Sequence, residues 1–208
     1  MKKLFYIIFF YLLLTPFISS SIIESENIII DSNMTFEESI KGTKAPKSII
    51  DNLMLLDVMY YSTDKKLHKG QIVISKSVEK DISSIFEIAI KEKFIIEKCI
   101  PIVKYNWSDN KSMANNNTSS FNYRKVSGSK NLSKHSYGLA IDINPKYNPV
   151  VYKNGRISPK GATYDINKNG TLSKKSAIID AFKKLGWKWG GEFRSFKDYH
   201  HFQKISNK

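Results

Sequence analysis

The sequence predicts an α+β protein, with a central, mainly antiparallel sheet flanked by helices and a single main domain. Three observations lead there. Short apolar runs that read as strands recur at 71–75, 99–105 and 139–143. Two stretches, Val78 to Phe94 and the one around Ile178 to Leu185, carry apolar residues at helical spacing. Strands and helices are interspersed over a 208-residue chain, a length that suits one domain plus extras.

Taken in order, residues 1–21 combine Lys2 and Lys3 with an apolar run from Leu4 to Leu14 and the small residues Ser19 to Ser21. That run is short of the roughly 20 residues needed to span a bilayer and suits a secretory signal peptide. Removal on export is expected, with an uncleaved membrane anchor as the alternative; no cysteine near the cleavage region supports a lipoprotein anchor. Residues 22–43 are polar and without sustained periodicity, as in a linker or N-terminal arm, and 44–208 form the domain. Residues 48–61 are apolar and end at a polar, turn-rich stretch, 62–70; "QIVIS" is a strand. Val78, Ile82, Ile85, Phe86 and Ala89 give a helix with Ser77 as its N-cap and Glu79 in the first turn. "CIPIVKY" reads as a strand, 106–124 as a long polar loop, and 151–173 as an irregular Gly/Asn/Lys-rich insertion. A second helix has Ile178, Phe182 and Leu185 on one stripe and Gly186 as its C-cap. "FKDYHHFQKI" is a closing strand, and no internal repeat is visible.

Cys99 is the only cysteine, so no intramolecular disulfide can form and the core must hold the domain together. The formal charge of +14 is mostly scattered lysine. It reads as a solvated surface or as attraction to an anionic wall polymer; no arginine-rich, aromatic-interleaved patch points to nucleic acid. No obligate protein partner is expected.

Chemistry enters at Ser133 to Pro145, "SKHSYGLAIDINP". Leu139, Ile141 and Ile143 alternate with Ala140, Asp142 and Asn144, so Asp142 sits in a half-buried strand, where an unpaired carboxylate is costly. His135 lies seven residues earlier, a spacing that neither a helix nor a regular strand brings together, but a turn at Gly138 would fold it back over Asp142. The other histidine cluster with a nearby acid is "DYHHF", where Asp198 and His201 form D-x-x-H. Two imidazoles and one carboxylate would leave a fourth position open on a metal, as catalytic zinc sites do. Spacing alone leaves ordinary hydrogen-bonded histidines as the competing reading.

The pattern S-x-H-x-x-G-x-A-x-D at Ser133, His135, Gly138, Ala140 and Asp142, followed by "GWKWGG" and D-x-x-H-F, resembles the M15 family of zinc D-alanyl-D-alanine carboxypeptidases and related peptidoglycan endopeptidases. "FNYR", "SYGLAIDINP" and "LHKGQIVIS" resemble one bacterial branch of it, and the likeness runs roughly from Lys44 to Lys204. The resemblance implies one Zn2+ held by His135, Asp142 and His201, with Asp198 as general base. It implies Arg124 as a catalytic and substrate-binding cation. Ser133 matches a position near substrate, against a local loop hydroxyl as the alternative. The implied activity is a secreted peptidase acting on peptidoglycan stem peptides and removing terminal D-alanine, with no nucleophilic Ser or Cys. An endopeptidase cutting within the stem is the enzymatic alternative, because aspartate at position 198 is commoner in that branch than in the carboxypeptidases. A silent wall-binding module is the non-enzymatic one. The residue before the last ligand is often Pro or Trp in the family but is His200 here; His201 keeps the family spacing.

Other motifs carry less. "DINKNG" places Asp165, Asn167, Asn169 and Gly170 as in a calcium loop, but Ser176 stands where the bidentate glutamate belongs, so a turn-rich loop is expected. Trp187 and Trp189 read as core anchors, and His68 as structural or exposed. The N-x-S/T sequons are assigned no function.

Overall fold

The computed structural model describes residues 28–205. The expected signal peptide and the first residues of the expected arm lie outside the described residues. In chain order the elements are β1 (Ile29–Ile30), α1 (Phe36–Ile40), α2 (Lys47–Ile50), β2 (Leu53–Tyr61), β3 (Leu67–Ser75), α3 (Glu79–Lys91) and β4 (Lys98–Cys99). Then follow α4 (Asp109–Ala114), β5 (Asn117–Thr118), β6 (Ala140–Asp142), β7 (Val150–Tyr152), β8 (Ile157–Ser158), α5 (Ala177–Lys184), β9 (Trp187–Trp189), β10 (Phe196–Asp198) and β11 (His201–Lys204). The α+β class holds, with mainly antiparallel strands. They are divided among three three-stranded sheets, ordered β1-β3-β2, β10-β7-β8 and β6-β11-β9, and a parallel pair, β4-β5.

The β2–β3 hairpin is the long element. It pairs from Leu53 with Ser75 to Tyr61 with Leu67, so "LHKG", read as turn, belongs to the strand. Its turn is only Ser62 to Lys66, closed where the Lys66 N–H donates to Asp64 Oδ1 (3.0 Å) and Lys65 adopts φ 64°. One face of the hairpin gives Val58, Tyr60, Ile72 and Ile74 to the main core, which α3 supplies with Ile82, Ile85 and Phe86 and α5 with Ile178 and Phe182. The other face holds Leu53 and Val73 under Phe36, Ile40 and Ile49. The part of the expected arm that is described therefore pairs with β3 and covers a second apolar cluster. Thr35 and Glu38 cap α1 reciprocally, so this short helix has its first orphan N–H groups satisfied.

Two sequence expectations change for local reasons. Ser77 does not cap α3: Ser75 caps a 3-10 turn over Lys76–Val78 that leads into it. "CIPIVKY" is a strand only at Cys99; Pro101 has no N–H to donate to a ladder, and a 3-10 turn runs over Ile102–Tyr105. Trp187 and Trp189 are buried core residues, and the stacked rings of Phe182 and Phe202, 4.0 Å apart, tie α5 to β11. Complete burial of a ring such as that of Phe202 contributes about 1.5–3 kcal/mol. The calcium-like loop spends its side chains on structure: Asp165 Oδ1 accepts from the Asn167 N–H, and Asn169 bonds the backbone of Ile95 and Lys93.

Candidate metal centre

The site is built on β6 and β11. These strands are antiparallel neighbours with Asp142 directly opposite His201, so both side chains leave the same face. Along β11 the period of two sends His201 and Gln203 to that face while Phe202 fills the core. On its other edge Asp142 exchanges both backbone hydrogen bonds with Ser119 (3.1 and 2.9 Å), so its position is fixed from two sides.

His135 arrives from a 3-10 turn over Lys134–Tyr137, capped at its start by the Ser133 hydroxyl and at its end by Gly138 at φ 62°. The expected reversal at Gly138 is what folds His135 over the aspartate. The glycine is required twice. Its backbone is left-handed, and a Cβ there would meet the Ser75 nitrogen at 2.4 Å, because the Gly138 carbonyl accepts from the Ser75 N–H of β3. Gly190 plays a similar part on the other side: a Cβ on it would meet the Asp198 carbonyl at 2.5 Å and His201 Cβ at 3.2 Å.

Three donor atoms converge. His135 Nε2 lies 3.2 Å from His201 Nδ1 and 3.3 Å from Asp142 Oδ1, and His201 Nδ1 lies 3.0 Å from the same oxygen. Four ligands placed tetrahedrally at about 2.0–2.1 Å from zinc stand about 3.3 Å apart, so the triangle is the size such an ion requires. The far edges of the rings set the tautomers. His135 Nδ1 is 2.6 Å from the Ser120 carbonyl, which can only accept, and His201 Nε2 is 3.1 Å from Gln203 Oε1. With a cation in place each ring would turn a lone pair towards the shared point; without one, three acceptors there would repel one another, and a ring N–H faces Asp142 instead. The donor set fits a divalent metal.

Electrostatics follow from burial and proximity. Burial alone would raise the Asp142 carboxyl, but His135 and His200, with hydrogen bonds from His135 and His201, hold it well below the usual carboxylate range. Burial would push His201 down, yet its bond to Asp142 and the charges of Asp142 and Asp198 raise it. His200 is likewise pushed up to about 9 against burial by Asp198 and Asp142. It is 3% exposed; its Nδ1 lies 2.7 Å from the Asn148 carbonyl and its Nε2 3.0 Å from Asp198 Oδ1.

The remaining expected residues fall as follows. Asp198 ends β10, directly before the two-residue turn of Tyr199 and His200 into β11, and is beside His200. Arg124 has its backbone against the 3-10 turn, where its N–H donates to Ser136 Oγ (2.9 Å). Its guanidinium pairs with Asp109 and borders a cleft of about 360 Å³ with Lys44, Trp107 and Tyr123. Ser133 is buried, and its hydroxyl accepts from the His135 N–H (3.3 Å). That bond is the local one expected as the alternative to a substrate contact, and it leaves the hydroxyl proton unassigned. His68 is structural, with Nδ1 2.9 Å from Asp31 and Nε2 3.1 Å from Asp64. Sequence reasoning missed Ser120, Gln203, Asn148 and Asp109. Of these only Gln203 carried a signal, standing two residues after His201 on a strand.

Two imidazoles and one carboxylate, with a further carboxylate alongside, could hold one divalent metal ion. Residues 127–204 match the family model described as D-alanyl-D-alanine carboxypeptidase, of the M15 peptidases. The peptidoglycan L-alanyl-D-glutamate endopeptidase CwlK of Bacillus subtilis (strain 168) is 36% identical over 77 residues, which are 36% of this chain and 41% of that protein. The chain therefore spans about two fifths of the length of that curated relative. No solved structure matches. Residues 127–204 are thus similar to the M15 peptidases. His135, Asp142, Asp198 and His201 fall inside the matched segment and Arg124 falls outside it.

Proposed function

We propose that the protein is a zinc-dependent peptidase that hydrolyses peptidoglycan stem peptides, removing the terminal D-alanine, and that it acts outside the cell after export. The observation that carries the reading is the triangle of His135 Nε2, His201 Nδ1 and Asp142 Oδ1, with separations of 3.0–3.3 Å and both rings tautomerically fixed. A zinc ion held there would acidify a bound water and polarise the scissile carbonyl.

The chain's own groups supply the rest. Asp198 accepts the proton of the attacking water and returns it to the leaving amine nitrogen, so one carboxylate serves as base and then as acid. Arg124, held by Asp109 at the edge of its cleft, presents a cation to a substrate carbonyl or carboxylate. Burial of the donors keeps bulk water from screening these interactions.

A second reading, cleavage within the stem, is favoured by the identity to an L-alanyl-D-glutamate endopeptidase and by Asp198 in place of glutamate. Mass spectrometry of the products from a muramyl pentapeptide, with and without chelator, separates the two. Loss of one D-alanine that chelator abolishes is the expected result; a cut inside the stem would replace it with the endopeptidase reading, and chelator-insensitive or absent cleavage would overturn both.

A further inference from the structure

We infer that His200 is a positioning residue that holds the Asp198 carboxylate for its proton-transfer role without binding the metal; this rests on the peptidase reading above. The donor atoms that converge on the metal point are those of His135, Asp142 and His201, and His200 is not among them. Its ring stands one layer back. Nε2 is 3.0 Å from Asp198 Oδ1 and 4.0 Å from Asp142 Oδ2, so one ring edge faces the outer oxygen of the metal-site carboxylate and one oxygen of the neighbouring acid. Asp198 Oδ1 is buried and has no aligned hydrogen bond, so the ion-pair contact of His200 Nε2 at 3.0 Å is the close polar approach that the structure gives it.

The ring itself cannot easily turn. Nδ1 is bonded to the Asn148 carbonyl (2.7 Å), and Asn148 is fixed by its own side chain. Its Nδ2 donates to the carbonyls of Ile143 (3.0 Å) and Gly170 (3.0 Å), and its Oδ1 accepts from the Leu172 N–H (2.6 Å). The lever thus runs from the loop before α5, through Asn148 and His200, to one oxygen of Asp198, leaving the other oxygen for the reacting water. Such outer partners affect metal sites by about 10- to 100-fold when removed.

Two substitutions separate the ring's edges. In His200→Gln the amide nitrogen falls near the position of Nε2 and keeps a donor for Asp198. In His200→Asn it falls near Nδ1 and keeps only the Asn148 bond. The expected result is a kcat about 10- to 100-fold lower for His200→Asn with KM little changed, and recovery of most of that loss in His200→Gln. Zinc affinity, measured on the chelator-treated proteins by competition titration without substrate, should stay within a few-fold of wild type in both. Equal kcat in the two variants would overturn the positioning role. A zinc affinity that collapses in both would make His200 a ligand and overturn it as well. Wild-type protein that hydrolyses no stem peptide would bring down the peptidase reading and this inference with it.

Discussion

Gly138→Ala tests how the fold places His135. The substitution carries two costs that a second glycine separates. At φ 62° any L side chain is held in the left-handed region, at about 1–2 kcal/mol. In addition the new methyl would stand 2.4 Å from the Ser75 nitrogen and 2.7 Å from the Ile74 carbonyl carbon, both backbone atoms of β3 that no rotamer change can move. Reaching ordinary contact requires a displacement of about 1 Å, and overpacking of that kind costs about 1–3 kcal/mol. The sum is about 2–5 kcal/mol, or roughly 4–20 °C in Tm for a domain of this size. Gly155→Ala is the control: its φ is 79° and nothing lies within 4 Å of the added methyl, so only the first cost applies. Urea unfolding of both variants, with zinc titration of each, provides the assay. Gly138→Ala should lose more stability than Gly155→Ala and should bind zinc more weakly, because the turn that carries His135 is pushed off β3. Equal losses with unchanged zinc affinity would refute the argument that this contact sets the ligand's place.

Three further outcomes are expected. Asp198→Ala should lower kcat by about 10²- to 10⁴-fold while retaining one bound zinc; a parallel loss of zinc would move Asp198 into the ligand set. Removing zinc with chelator should lower the unfolding midpoint, by about 4 kcal/mol in stability where free zinc had stood at 1,000 times its Kd, and adding zinc back should restore it; a midpoint indifferent to zinc would deny a bound ion. Burial and the Glu97 carboxylate, which accepts the Tyr147 hydroxyl at 2.5 Å, push that phenol up to about 12. Since the folded state favours the neutral phenol, its contribution is complete below the ordinary value of about 10 and is lost as pH rises towards 12. Because Tyr147 is partly exposed and screened, the loss is on the order of 1 kcal/mol. Wild type should lose more stability across that window than Tyr147→Phe in denaturant titrations, and identical slopes would contradict the assignment.

What could be read from the residues follows from how local each signal is. The strand at Asp142 and the turn at Gly138 depend on neighbours in sequence and both stand in the structure, but the strand is only Ala140–Asp142 and is buried on both faces rather than half-buried, because other elements cover the side that alternation left to solvent. The helical spacing of Ile82, Ile85 and Phe86 is equally local and gave α3 within a residue or two of its start. The polar stretch before Gln71 was illegible as strand because Leu67 to Gly70 gain their place only by pairing with β2. The arm looked unattached because its partners, β3 and the cluster at Leu53 and Val73, lie further along the chain. At the site the three metal donors were legible through spacing and family likeness, whereas the groups that aim them were not. Ser120 acts through a backbone carbonyl, which every residue has, and Asn148 through a carbonyl and an amide brought near His200 only by the fold. Ser133 is a motif residue whose hydroxyl also serves the local turn.

The most direct test of the central claim is a zinc titration of metal-free protein, wild type and Asp142→Ala, with stem-peptide hydrolysis followed at each addition. Wild type should take up one equivalent and recover hydrolysis in step with it, and Asp142→Ala should do neither. Hydrolysis that is full before zinc is added, or uptake that survives in Asp142→Ala, would contradict the account.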